Sequence, residues 1–290
     1  MRRTAAALAA LGLVSSAACT GSHSQTARAA SPSASSAPPA VVSYRSAVDG
    51  VLPTGRTREL AGIRLPAGHA VGKLWITDEV LERPVELWRE LAGQYASTGL
   101  WPLVLDLDAD PAHLSVPDTT SPPSVTFEKT LAETWKDQSE GFPQLVAPFE
   151  AGFPGLAARP GGPEIADAPE KVLRTYPRGR LALAAVHRPA DVPLAVGWGG
   201  ATNYFDAEVT TAVLRSEEDR LSAILVFLGD DLLVRALLRP PRTRAETRAI
   251  AAEQFAFCPD AVTQGFADAQ TLDSYASKIA GEEQLYCWWD

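Results

Sequence analysis

The stretch from Ser222 to Pro240, SAILVFLGDDLLVRALLRP, decides the fold. Ile224, Val226 and Leu228 point one way and Leu225 and Phe227 the other, so its first half is a strand apolar on both faces. Such a strand belongs in the middle of a sheet covered on both sides. A Gly placed first in a two-residue loop suits a type II′ turn, which predicts a hairpin reversal at Gly229-Asp230. In the second half Arg235 and Arg239 alternate with Val234, Ala236 and Leu238, which predicts a strand nearer the edge with one wet face. A helix start follows: Thr243 and Glu246 have capping-box spacing, and Pro240-Pro241 rules out an earlier start.

Working outward, LALAAV (Leu181 to Val186) and PLAVGW (Pro193 to Trp198) are expected as strands flanking HRPADV. Asp206 caps a helix carrying Val209, Ala212 and Val213. Leu272, Tyr275, Ala276 and Ile279 mark a last helix, and LYCWWD is an apolar strand that ends with the chain and pairs into the sheet. Toward the N-terminus, GLWPLVLDLD from Gly99 is a strand, and Pro84 opens a helix whose stripe is Trp88, Leu91, Ala92 and Tyr95. Ile63 to Leu65 and Lys73 to Thr77 are short strands around the turn PAGHAVG, with His69 at the surface. Residues 111–177 are rich in Pro and Gly and carry one expected helix, Phe127 to Lys136, so they read as a long surface excursion. This order implies one α+β or α/β domain over residues 48–290, a mixed central sheet with helices packed on it.

The 290 residues are 46% hydrophobic and 21% charged, a globular composition. A net charge of -9, with cations scattered among more numerous carboxylates, excludes a nucleic-acid partner, which needs a basic face. The long apolar run, Ala5 to Val14, is too short to cross ~30 Å of hydrocarbon as a helix. With Arg2 and Arg3 before it and Ser16-Ala17-Ala18-Cys19 after it, the run reads as an export signal over residues 1–19. Its end resembles the bacterial lipobox, with Ser16 where Leu is commonest, which makes Cys19 the expected lipid attachment point. The expected location is the outer face of the cytoplasmic membrane, held by an N-terminal lipid anchor; the alternative is a secreted protein cleaved near Ala18. Residues 20–47, rich in Ser, Ala and Pro, have too little to bury and read as a disordered tether that includes His23.

Three strings, LALAAVHRPADVPLAVGWGGATNY, the hairpin with RPPRT, and AAEQFAFCPDAVTQG with the terminal WWD, resemble the bacterial family named domain of unknown function 4253. The resemblance covers most of Gly99 to Asp290 and is strongest over the core 181–290. Since that family has no established activity, it carries over no catalytic residue. Cys287 departs from it, standing between Tyr286 and Trp288 where an aromatic residue is expected.

Candidate chemistry is sparse. DLDAD, Asp106 to Asp110, follows a strand where carboxylate sites sit, but Pro111 stands where a calcium loop needs Gly and Pro117 where it needs Glu. The turn GWGGATN lacks the Lys and hydroxyl of a phosphate loop and is expected to expose Trp198. There is no G-x-S-x-G, H-E-x-x-H or C-x-x-C. No metal or cofactor is expected. Arg242 and Arg244 lie at a helix N-terminus, where an anion can bind, though solvated arginines are the commoner case. Of the three cysteines, lipidation of Cys19 leaves Cys258 and Cys287, which export would allow to form a disulfide; the alternative is two buried thiols. Two functions remain. One is a non-catalytic envelope module that binds a protein or a cell-wall component. The other is a hydrolase whose site is His187, Asn203 and Asp206, and the two part on whether those side chains converge in a cleft.

Overall fold

The computed structural model describes residues 44–54, 59–110, 126–265 and 271–290. The export signal with Cys19, and the tether up to residue 43, lie outside the described residues. From Tyr44 the chain is already attached: the Tyr44 ring packs edge-on against Trp101 at 5.8 Å, and the Ser46 N–H donates to His187 O at 3.0 Å. The fold therefore begins before Val48, because an aromatic and a backbone donor just upstream find partners on it.

The expected class holds: a mixed α+β domain built on one large sheet. In chain order come β1 (Glu59–Leu60), β2 (Ile63–Arg64), β3 (Gly68–Val71), β4 (Leu74–Thr77), β5 (Leu81–Glu82), α1 (Val85–Ala92), α2 (Tyr95–Thr98), β6 (Leu100–Leu105), α3 (Phe127–Gly141) and α4 (Ala168–Arg174). There follow β7 (Arg178–Ala185), α5 (Val192–Val196), α6 (Ala207–Leu221), β8 (Ala223–Leu228), β9 (Leu232–Leu237), α7 (Arg244–Phe257), α8 (Leu272–Lys278) and β10 (Gln284–Trp288). The main sheet has eight strands in the order β10-β9-β8-β6-β7-β4-β3, with β5 also on β7. Only β6 and β8 pair in parallel; its other neighbours are antiparallel.

β8 and β6 are buried at every position, as their two-sided apolar sequence requires. Phe227 opposes Val234 and stacks on Tyr176, which follows α4, at 4.2 Å. Arg235, the next residue of β9, points to the opposite face, where it bonds side chains of α6 and α7. The two faces of the sheet thus carry different helices.

Several local expectations need correction. The second hairpin strand is not an edge with a wet face: β10 covers it, and Arg235 is fully buried. The reversal is displaced by one residue, since Gly229 N–H donates to Leu232 O at 2.7 Å and Asp230-Asp231 make the turn. Gly229 keeps an ordinary φ; what it supplies is space, because a Cβ there would lie 3.3 Å from Asp106 Cβ. PLAVGW is not a strand. Pro193 in the first turn and Gly197 at φ +60 make its first half the short helix α5. Trp198 is not exposed: it is 2% accessible and donates to Gly229 O at 2.8 Å. Gly200 is required there, since a Cβ would stand 2.2 Å from the Trp198 ring and 2.4 Å from Asp230 O.

PAGHAVG contributes a strand, β3, rather than a turn alone. The helix opened by Pro84 breaks at Gly93 into α1 and α2, and the Pro-rich excursion holds a second helix, α4, beyond the expected one.

The helix starts are where the side chains put them. Asp206 Oδ1 accepts from Val209 N–H at 2.8 Å, and Thr243 and Glu246 form the expected capping box. Glu246 also accepts from the backbone N–H groups of Gly161 at 2.6 Å, Thr243 at 2.9 Å and Arg242 at 2.8 Å. These donors hold its carboxyl at about 2, below the ordinary 4.5, with the Gly161 contact the largest cause. A depressed carboxyl stabilises the fold above its unfolded value and loses that contribution as pH falls through the folded one. Glu246→Gln should therefore cost about 1 kcal/mol at neutral pH, modest because the group is partly solvated. The difference from wild type should close as pH falls from 4.5 towards 2. Urea midpoints across that window check it, and a difference independent of pH would refute the assignment.

Candidate functional site

Each of the three polar residues expected to form a pocket has a separate structural partner. His187 lies two residues beyond β7, where Nδ1 is 3.2 Å from Ser46 O and Nε2 is 3.3 Å from Asp49 Oδ1. Asn203 donates from Nδ2 to the carbonyl of Asp290 at 2.5 Å. Asp206 is engaged as the cap of α6. The cleft beside His187, about 350 Å³, is lined by Asp49, Gly50, Leu52, Gly72, Lys73, Ala185 and Val186 together with His187, and neither Asn203 nor Asp206 reaches it. The structure does not bring the three together, because Asn203 lies beside the chain's last residue whereas His187 faces the incoming N-terminal segment.

Of DLDAD, Asp106 stands close to the carboxylates of Asp108, Asp230 and Asp231. Asp106 stands at the end of β6, beside the turn that follows the parallel β8; Asp230 Oδ1 accepts from Asp110 N–H at 3.1 Å, and Asp231 Oδ2 accepts from Trp288 Nε1 at 3.3 Å. Burial raises the Asp106 carboxyl, the Leu107 N–H opposes that, and Asp108, Asp231 and Asp230 add to the rise. Among the described residues, no group of three His, Cys, Asp or Glu side chains is arranged to hold a metal ion. Arg244 is tied to Asp273 of α8 at 2.5 Å, with Arg248 on the same carboxylate at 2.7 Å, so Arg244 joins helices instead of facing an anion.

Cys258 and Cys287 are buried and free, so the expected bridge is not formed in this structure. Both sulfurs have other partners. Cys258 Sγ accepts from Trp288 N–H and donates to Trp288 O, each at 3.2 Å, closing the outer edge of β10 as a neighbouring strand would. Burial pushes its thiol well up, and the adjacent Cys287 adds to this. Cys287 Sγ accepts from Arg235 Nη2 at 2.9 Å.

That guanidinium is the centre of the most buried polar cluster. Arg235 pairs through Nη1 with Glu217 Oε2 and through Nη2 with Gln254 Oε1 at 2.8 Å, while Gln254 Nε2 donates to Glu217 Oε1 at 3.0 Å. The Arg235 Cζ stands 5.6 Å from the centre of the Phe257 ring. Glu217 and Gln254 were missed as candidates, although each had a signal. Glu217 falls on the apolar stripe Val213, Glu217, Leu221, and Gln254 on Ile250, Gln254, Cys258, both at spacings of four. A polar residue on such a stripe calls for a buried partner.

A cleft of about 560 Å³ lies between α1 and α4. Arg83, Arg89 and Arg174 line it with Glu86, Glu90 and Glu170, over an apolar floor of Val85, Leu173 and Pro177. In the sequence Glu170 and Arg174 fall in the Pro- and Gly-rich excursion, outside its one expected helix, so nothing there sets them against the helix opened by Pro84. The facing charges come from segments some 80 residues apart.

Residues 180–290, from within β7 to Asp290, are similar to the family model described as Domain of unknown function (DUF4253). No curated protein and no solved structure matches the chain. The residues lining the α1–α4 cleft, Arg83 to Pro177, all precede the matched segment.

Proposed function

We propose that the chain is a non-catalytic binding module of the bacterial cell envelope, exported and held by lipid on Cys19 at the outer face of the cytoplasmic membrane, with a protein or cell-wall ligand as its partner. The observation that supports this best is the use made of the polar residues: His187, Asn203 and Asp206 fasten the N-terminal segment, the last residue and a helix start. The lining of the α1–α4 cleft holds paired Arg and Glu over an apolar floor and no Ser, Cys or His. A lining of that kind can grip a ligand through both signs of charge and an apolar contact. No helix among the described residues is long and apolar enough to cross a membrane.

Acyl chains anchor by burying methylenes at ~0.8 kcal/mol each, so stable retention takes more than one chain. Cys19→Ala is expected to move the protein from the membrane fraction to the soluble one on fractionation. A wild type already found in the medium would overturn the anchored reading in favour of a secreted protein.

A further inference from the structure

We infer that the cleft between α1 and α4 binds a short zwitterionic peptide. Its carboxylate would lie on the arginines, its ammonium on Glu90 and Glu86, and an apolar side chain on the floor of Val85, Leu173 and Pro177. The inference rests on the binding-module reading and names the ligand class for it. The volume, about 560 Å³, falls within the range of small-molecule sites, roughly 300–1,000 Å³. The lining has three Arg and three Glu, so a ligand of one sign meets three like charges, whereas a ligand carrying both signs can satisfy both sets.

The internal ion pairs leave these groups available. Arg83 to Glu86 is 3.6 Å, Arg89 to Glu170 is 3.8 Å and Arg174 to Glu170 is 3.5 Å, all longer than the ~2.7–2.9 Å of a strong charge-assisted hydrogen bond. The three arginine side chains are 75%, 56% and 59% exposed, and among the described residues Glu90 has no ion-pair partner. A ligand carboxylate can therefore take bidentate contacts that no internal pair now makes.

Arg83 is also held in a costly backbone conformation at the mouth of the cleft. Its φ is +54 although it is not Gly, and it precedes Pro84, which disfavours folded conformations in the residue before it. The Arg83 N–H donates to Pro177 O at 2.7 Å, and Pro177 belongs to the same lining. A turn chosen for stability alone would carry Gly there. Arg places a guanidinium at the cleft instead.

The test is a backbone-amide NMR titration of the full chain with L-alanyl-L-leucine, alongside its N-acetylated and its C-amidated forms. Shifts are expected in Val85 to Glu90 and Ala168 to Arg174, with either capped form binding roughly tenfold more weakly. Arg83→Gly should keep or raise the melting temperature, since glycine accepts a positive φ, yet weaken binding roughly threefold to tenfold, and Glu90→Gln should weaken it similarly. No shift in these helices at millimolar dipeptide, or binding of both capped forms equal to that of the free dipeptide, would overturn the inference. Shifts confined to the His187 cleft would overturn it while leaving the binding-module reading in place. Hydrolysis of the dipeptide, with shifts in α1 and α4, would support the cleft and overturn the non-catalytic reading.

Discussion

Arg235→Met is expected to destabilise the domain by about 3–5 kcal/mol, the largest single-residue effect outside its aromatic centre. The substitution leaves Glu217 as an uncompensated carboxylate that is fully buried, removes a donor from Gln254 and from Cys287, and takes the cation from the face of Phe257. Against a total stability of roughly 5–15 kcal/mol, such a loss brings the folded state close to its limit. The cost comes from stranding a charge, not from any large net gain of the intact pair. Hence Arg235→Met combined with Glu217→Leu should recover most of the loss, because an apolar pair of similar volume carries no desolvation penalty. Urea denaturation of wild type, single and double variants decides the point. A single variant with an unchanged midpoint would show that Glu217 finds water or another donor. A double variant as unstable as the single one would show that packing, not charge, was lost.

Trp101→Ala should cost a comparable ~3–5 kcal/mol and also loosen the start of the domain. The Trp101 ring is fully buried, its Nε1 donates to Leu225 O at 2.9 Å, and it meets Trp88 at 5.6 Å, Tyr95 at 5.2 Å and Tyr44 at 5.8 Å, all edge to face. It thus joins β8, α1, α2 and the first described residues through one side chain. Truncation leaves a cavity that these rigid rings cannot collapse to fill. Because Tyr44 rests on that ring, the Ser46 amide bonded to His187 O should exchange with solvent faster in the variant, and Trp101→Phe should lose less on both measures. Destabilisation with unaltered exchange at Ser46 would mean that Arg45, paired with Glu218 and Asp219, holds the segment alone.

Much of the fold was legible because local rules decided it. β8 was read from an apolar run with no wet face, α6 and α7 from side chains that satisfy the first free N–H groups of a helix, and β10 from an apolar end with no other place to go. The failures share a cause. PLAVGW has the apolar residues of a strand, but a five-residue segment closed by Pro193 and Gly197 takes its conformation from the turn chemistry at its ends. β3 is half exposed and lies at the sheet edge, where pairing with β4 and not side-chain burial makes it a strand.

The candidate site was less legible than the fold. His187, Asn203 and Asp206 group as a polar pocket at strand ends only if PLAVGW is a strand beside the Gly-rich turn, and α5 with the turn after it carries the chain away between the first and the other two. The lining of the α1–α4 cleft had no signature, since Arg and Glu on exposed helix faces read the same whether or not another helix stands opposite.

The sequence by itself determined the helix caps, the two-sided burial of the central strands and the mixed class of the fold, because backbone hydrogen bonding and hydrophobic periodicity act within a few residues of one another. Tertiary structure alone decided that Arg235 is buried, that Cys258 closes a sheet edge, and that Arg89 of α1 faces Glu170 of α4. The physical reason is that a charge or a thiol carries no local preference strong enough to fix its surroundings. Whether it meets water, a counter-ion or an open backbone group depends on which distant segment the sheet order brings against it.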